Sequence, residues 1–181
     1  YLPFNTEGSE QYADILRPIF EDERITKIGQ NIKFDIMVLR GIGIEVRGRK
    51  IDTMLLHYLI DSESRHNMDF LAERYLNYRP IAIETLIGKG TKQLTMDMVG
   101  IERVAEYAAE DADITLRLKH ELYPIVESLG MKDLYHRIEE PMIDVLAYME
   151  LQGVRIDSAA LNNYAIELRQ LLASLEAEVR E

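Results

Sequence analysis

Cysteine is absent from all 181 residues, which excludes a disulfide framework, a thiolate metal site and a thiol nucleophile. No apolar run approaches the roughly 20 residues needed to span a bilayer. The start, Tyr1-Leu2-Pro3-Phe4, lacks the basic-then-apolar layout of a secretory signal. These absences predict a cytoplasmic protein with no membrane partner. Basic residues are scarce as well. The net charge of −11 argues against broad wrapping of a polyanion, which draws on clustered Lys and Arg, and leaves only local contact open. Up to residue 126 there are 21 acids against 16 bases, and after it 11 against 5, so most of the basic side chains lie in the first part. Among them Arg40, Arg47, Arg49 and Lys50 read, on charge alone, as a solvated loop. Internal repeats and low-complexity tracts are missing too. No Met begins the chain, and neither a breaker nor a cap closes the final run Leu171 to Glu181; the sequence is therefore expected to be a piece of a longer protein.

What is present is an ordinary folded composition, 47% hydrophobic and 29% charged, which sets disorder aside. Periodicity predicts a short helix from Tyr12 to Phe20, a β-prone stretch from Arg24 to Ile28, and a helix from Ile32 to Leu39 that stops at Gly41 and Gly43. Ile51-Asp52-Thr53 reads as a strand end leading into a helix through Met54, Leu55, Tyr58 and Leu59. Another helix is expected after Asn67, with Met68, Leu71, Ala72, Tyr75 and Leu76 on one face. Tyr78 to Thr95, broken by Pro80, Gly88 and Gly90, reads as a surface loop able to reach a ligand. A long helix from Ile101 to Leu122 buries Ile101, Val104, Ala105, Ala108, Ala112 and Thr115, and Lys132 to Leu151 is helical with an interruption at Pro141. After Gly153 and an extended Val154-Arg155-Ile156, Asp157 or Ser158 caps a last helix. The shift in composition near residue 127 marks the expected domain boundary.

Chemistry concentrates in Tyr107-Ala108-Ala109-Glu110-Asp111-Ala112-Asp113, where a phenol and a carboxylate stand four residues apart on one helix face. Such a carboxylate holds a divalent cation while the phenol orients a water or a phosphate, and Asp35 supplies a second acid in a similar helical setting. Alone, each has a plainer role. Tyr107 fits a half-buried core, Asp111 with Glu110 and Asp113 a solvated acidic face, and Asp35 a partner for a helix dipole. Gly88-Lys89-Gly90 is too short to define a phosphate cradle, and His57, His66, His120 and His136 are too scattered for an obvious ligand set.

Ile28-Gly29-Gln30-Asn31-Ile32-Lys33-Phe34-Asp35, Arg65-His66-Asn67-Met68-Asp69 with Leu71-Ala72-Glu73, Gly88-Lys89-Gly90 and Tyr107 through Asp113 resemble, in order and spacing, the 3′-5′ exonuclease domain of the bacterial DNA polymerase I family. Glu140-Pro141-Met142 through Arg155-Ile156-Asp157 resembles the opening of the family A polymerase module. The resemblance implies an α/β, ribonuclease H-like exonuclease fold lacking its first strands and carrying a C-terminal helical extension. It divides the chain into an exonuclease part, 1–130, and the start of the polymerase module leading into the thumb, 131–181. It further implies a DNA polymerase whose exonuclease removes mismatched 3′-terminal nucleotides during replication and repair, with a single-stranded 3′ end of DNA and the rest of the polymerase as partners. Two divalent ions, Mg2+ by expectation and about 3.5–4 Å apart, activate water and neutralise the leaving oxygen in such sites. Asp35 and Asp111 match the family's second-motif and third-motif carboxylates, and Tyr107 its water-positioning phenol. Gln30, Asn31 and Phe34 are expected beside the terminal nucleotide, with Arg65 on a phosphate.

The family's first motif, Asp-x-Glu, has no good copy. Asn5-Thr6-Glu7 replaces Asp with Asn, and only 29 residues lie between Asn5 and Asp35, too few for the strands and helix the family fits there. Asp61-Ser62-Glu63 has the letters but follows the second motif. The motif is therefore expected upstream of Tyr1, and the piece alone is expected to be inactive, with a small sheet and an open edge. Before Gly88 only the aliphatic Ile81, Ile83 and Leu86 are available, which predicts modest stacking on single strands. Two other function classes compete with this one: a noncatalytic scaffold module of a polymerase, and a stand-alone ribonuclease D-like nuclease.

Overall fold

Strand formation begins where Lys27 to Gly29 (β1) meets Lys50 to Asp52 (β2) in parallel, in the register Lys27 to Lys50, Ile28 to Ile51 and Gly29 to Asp52. The computed structural model describes residues 1–4 and 10–180. A parallel pair needs a crossover, and Ile32 to Gly41 (α2) supplies it. Gly29 allows the abrupt exit from β1, since a Cβ there would lie 2.8 Å from Ile32 Cβ. Asn31 follows with φ 56°, a left-handed conformation that Asn tolerates better than most side chains. The β-prone stretch is thus narrower than its sequence suggests, and the sheet has two strands among the described residues.

Glu10 to Phe20 (α1) precedes the sheet, and Thr53 to Ile60 (α3) leaves β2 directly. Met68 to Leu71 (α4) does not continue as a regular helix. Ala72 to Leu76 widens into a π-turn that ends at Asn77 in the left-handed region. The stretch Tyr78 to Thr95 is not wholly a surface loop, because Glu84 to Ile87 (α5) forms a helical turn with Leu86 buried.

Ile101 to Ser128 (α6) outruns its expected end at Leu122. Pro124 lacks an N–H and ordinarily breaks a helix. Here burial of Leu122 on one side and Val126 on the other holds the helix through it. Of the expected stripe Val104 and Thr115 are buried, but the rest of the buried face is Ile114, Leu118, Leu122 and Val126, while Ile101 is 55% exposed. The middle turns of α6, at Asp111, Ala112, Thr115 and Leu116, line a cleft.

Lys132 to Leu134 (α7) leads into a π-turn at Tyr135 to Glu139, and Glu140 to Gln152 (α8) follows. Pro141 therefore does not interrupt the helix. The wide turn before it absorbs the irregularity that a missing donor creates. One apolar cluster joins Ile51, Leu56, Leu71, Ile114, Leu118 and Tyr135, and a second joins Ile32, Ile36, Val46, Ile143 and Ala147.

The chain forms two compact units, Tyr1–Tyr148 and Met149–Glu181. In the second, Ser158 to Arg180 (α9) is capped as expected, Asp157 Oδ1 accepting the Ala160 N–H at 2.9 Å. No helix among the described residues is long and apolar enough to cross a membrane.

Candidate active site

A cleft of about 630 Å³ opens in the first unit, between β1, α2 and α6. Asp35 enters it from the first turn of α2 and Asp111 from the middle of α6, with Gln30 at the end of β1. Ile32, Ile36, Val46 and Met68 make its walls largely apolar. Two acids 76 positions apart in the sequence thus share one cavity.

Neither carboxylate is well compensated there. Desolvation by the surrounding protein raises the Asp35 pKa above the ordinary carboxylate range, and the charge of nearby Asp52 raises it further. Asp35 as a residue remains open to solvent at the cleft mouth. Asp111 is also raised, first by burial and then by Glu110 and Asp69, against the opposing pull of the Tyr107 hydroxyl one turn earlier on α6. The same burial and the adjacent Asp111 charge push the Tyr107 phenol up to about 12, so it remains a neutral donor at physiological pH.

The other expected residues take varied places. Gln30 is committed at both ends, its Nε2 donating to the His66 carbonyl at 2.6 Å and its Oε1 accepting from the Thr53 hydroxyl. Asn31 holds the α2 start through its backbone, and its side chain makes no cap bond. Phe34 is 62% exposed beside Asp35. Arg65 is exposed in the turn before α4, next to the His66 carbonyl that holds Gln30. The Asn5-Thr6-Glu7 segment lies outside the described residues. Asp61-Ser62-Glu63 is away from the cleft, with Asp61 closing α3 and paired to Arg74 at 2.9 Å.

Three features escaped the sequence. Glu110, read as a surface residue, accepts the Tyr78 hydroxyl at 2.5 Å and the Ile81 N–H at 2.8 Å, tying the segment before α5 to the helix that carries Asp111. Lys50 is not in a solvated loop: it is 5% exposed in β2 and bonded to Asp144 at 2.9 Å. His57 and His66, scattered in sequence, meet Nδ1 to Nδ1 at 2.8 Å. A fourth, Asp52 as the N-cap of α3, did have a local signal, an Asp at a helix start.

Oxygen donors on an apolar wall are the type that hard divalent cations take, but a pair of such ions needs several more oxygens than two carboxylates provide. Among the described residues, no three His, Asp or Glu side chains gather around one point. The donors fit in kind and fall short in number, so no hydrolytic step follows from them alone.

Residues 1–127 match the family described as 3′-5′ exonuclease. Over 165 residues the chain is 41% identical to DNA polymerase I of Rhizobium leguminosarum, covering 91% of this chain and 16% of that protein. It is 41% identical over 167 residues to DNA polymerase I of Pseudomonas aeruginosa, covering 90% and 18%. For Chloroflexus aurantiacus DNA polymerase I the figures are 40% over 183 residues, 97% and 19%. The chain thus spans less than a fifth of the length of these relatives. Among solved structures, Brucella melitensis NrnC superposes with a TM-score of 0.64 over 76% of this chain and 64% of that one. At 23% identity that likeness is one of fold.

Proposed function

The chain belongs to the 3′-5′ exonuclease family, and from that premise we propose that it is the proofreading segment of a DNA polymerase I. In this reading it has a ribonuclease H-like fold and removes mismatched 3′-terminal nucleotides by metal-dependent phosphodiester hydrolysis. One observation carries it: Asp35 and Asp111 line the same cleft, with Tyr107 one helical turn before Asp111 on α6. Asp35 and Asp111 are the carboxylates that would hold two divalent ions, Mg2+ by preference, together with acids supplied from elsewhere in the longer polypeptide. Such ions, when bound, supply charge neutralisation at the scissile phosphate. Tyr107, a neutral donor and acceptor, orients the attacking water. Gln30, Asn31, Phe34 and Arg65 flank the 3′ end of a single strand. Residues 1–130 are the exonuclease part, and 131–181 begin the polymerase module, with its first helices folded into the same compact unit as the site.

Three measurements test this. In labelled protein, Mn2+ is expected to broaden the Asp35 and Asp111 resonances together, and Asp111→Asn to diminish both effects. Separate, unlinked broadening would count against the shared site. With Mg2+ present, the 181-residue chain is expected to release no nucleotide from a single-stranded 3′ end, and measurable release would show that the two acids suffice. In a polymerase that contains this segment, Asp35→Ala and Asp111→Ala are each expected to abolish terminal nucleotide removal and to spare polymerisation.

A further inference from the structure

Asp52 ends β2 at 1% exposure, and nothing in the proposed chemistry uses it. Its carboxylate works at two helix starts at once. Oδ1 accepts the Asn31 N–H at 3.0 Å and the Met54 N–H at 2.9 Å, and Oδ2 accepts the Ile32 N–H at 2.9 Å. For α3 this is an ordinary N-cap. For α2 it is a cap delivered from the neighbouring strand, because Asn31, at the N-cap position, offers no side-chain bond of its own. A carboxylate suits the place. It has two anionic acceptors and no donor, and it meets the positive end of each helix dipole.

The support extends behind the strand. The Asp52 N–H donates to the Tyr135 hydroxyl oxygen at 2.7 Å, and that hydroxyl donates to the Lys50 carbonyl at 3.3 Å. Glu140 Oε1 accepts the Lys50 N–H at 2.8 Å. Tyr135 is fully buried, and it lies beyond residue 127, where the family match ends.

We propose that Asp52 is a positioning residue for Asp35, fixing the first turn of α2 through the Asn31 and Ile32 amides, and that Tyr135 carries this support to the segment that follows the family match. The proposal rests on the reading of Asp35 as a functional carboxylate. It makes the direction of Asp35 depend on a residue that touches no substrate, and on a helical segment outside the part matched to the exonuclease family.

The test uses the 181-residue chain, uniformly 15N-labelled, as wild type, Asp52→Asn, Asp52→Ala and Tyr135→Phe. Amide exchange is read at Asn31, Ile32 and Met54, and Mn2+ broadening at Asp35 and Asp111. Asn keeps one acceptor oxygen and turns an NH2 toward one of the α2 amides. Asp52→Asn is therefore expected to speed exchange at Ile32 about tenfold while Met54 stays protected by the remaining oxygen. Mn2+ should then broaden Asp111 without Asp35. Asp52→Ala should lose protection at all three amides, and if it fails to fold the Asn variant decides. Tyr135→Phe should speed Asn31 and Ile32 by a few-fold. A uniform rise in exchange across the chain, with Asp35 and Asp111 still broadened together, would reduce Asp52 to a general stabiliser and overturn the proposal. If Mn2+ broadens neither acid in the wild type, the cation-site reading fails. Exchange confined to the first turn of α2 then still upholds the positioning role, and its absence overturns it.

Discussion

Asp52 and Asp35 stand at the same end of α2, and the fold treats them in opposite ways. Around Asp52, burial pushes the carboxyl up, and the amides of Asn31, Met54 and Ile32 pull against it. Around Asp35, burial and the charge of Asp52 both push up, with little hydrogen bonding in return. The region behind β2 is a closed polar network on an apolar core, including Tyr135, Glu140 and the Lys50–Asp144 pair. The region in front of β1 is an apolar-walled cleft with two acids left short of partners. Hydrogen bonds are concentrated where shape has to be held, and carboxylates are left uncompensated where a ligand can supply what is missing. Removing groups from the first region should therefore destabilise the chain, and removing charge from the second should not.

The largest effect is expected at Tyr135. Tyr135→Ala empties a fully buried site in the main cluster and should cost about 3–5 kcal/mol in urea unfolding. Tyr135→Phe keeps the ring and loses only the hydroxyl bonds to Asp52 and Lys50, for about 1–2 kcal/mol. A chain cut after residue 130 loses Tyr135, Ile143 and Ala147 from both clusters and is expected to show no cooperative transition. Equal stability of the cut and uncut chains would erase the contrast between the two regions.

Acid sensitivity is the next test. His57 is fully buried with its Nε2 unpartnered. Burial lowers its pKa, the neighbouring His66 and Arg74 lower it further, and Asp61 opposes them. The unfolded chain, with an ordinary histidine pKa of about 6.5, takes up that proton first as pH falls. The stability linked to neutral His57 is thus present at neutral pH and lost as pH drops through the ordinary value toward the folded one. Melting temperature should fall between about pH 7.5 and about pH 5.5, and His57→Phe should flatten the slope. Asp35 and Asp111 carry the opposite sign. Raised in the folded state, they favour folding below the ordinary carboxylate pKa and lose that contribution as pH rises through their folded values.

The sequence made the helices of the first unit legible because their apolar periodicity is local. It also placed Tyr107 with Asp111, since a spacing of four on one helix needs no tertiary knowledge. That Asp35 and Asp111 line one cleft was legible only through resemblance to a family. What escaped was set by distance. The bond from Ile32 to Asp52 spans 20 positions and that from Asp52 to Tyr135 spans 83, and no periodicity encodes either. The π-turns before Asn77 and Pro141 were invisible for another reason. Ala72 to Leu76 and Tyr135 to Glu139 contain good helix formers, and the widening answers constraints from packing and from the following residue. Lys50 was misread because charge predicts solvent, whereas the β2 register sets it beside Lys27 and within reach of Asp144.

Neutralising the cleft is expected to reverse the usual sign. Asp35→Asn removes a charge that burial and Asp52 both disfavour, so melting temperature at neutral pH should rise slightly, and loss of stability would place Asp35 in the held region instead. The solvent exposure of Asp35 keeps the gain small.

Phe34 should matter least to folding and still separate the two regions. At 62% exposure it leaves little apolar area to recover, and Phe34→Ala should change stability by no more than about 0.5 kcal/mol. It nevertheless stands one residue before Asp35, and the proposed function sets it beside the terminal base. A stacked base is worth about 1–3 kcal/mol, so the same substitution should weaken binding of a fluorescent single strand by about fivefold or more. Unchanged anisotropy would mean that the exposed ring is surface only, and that the cleft receives the strand end from another direction.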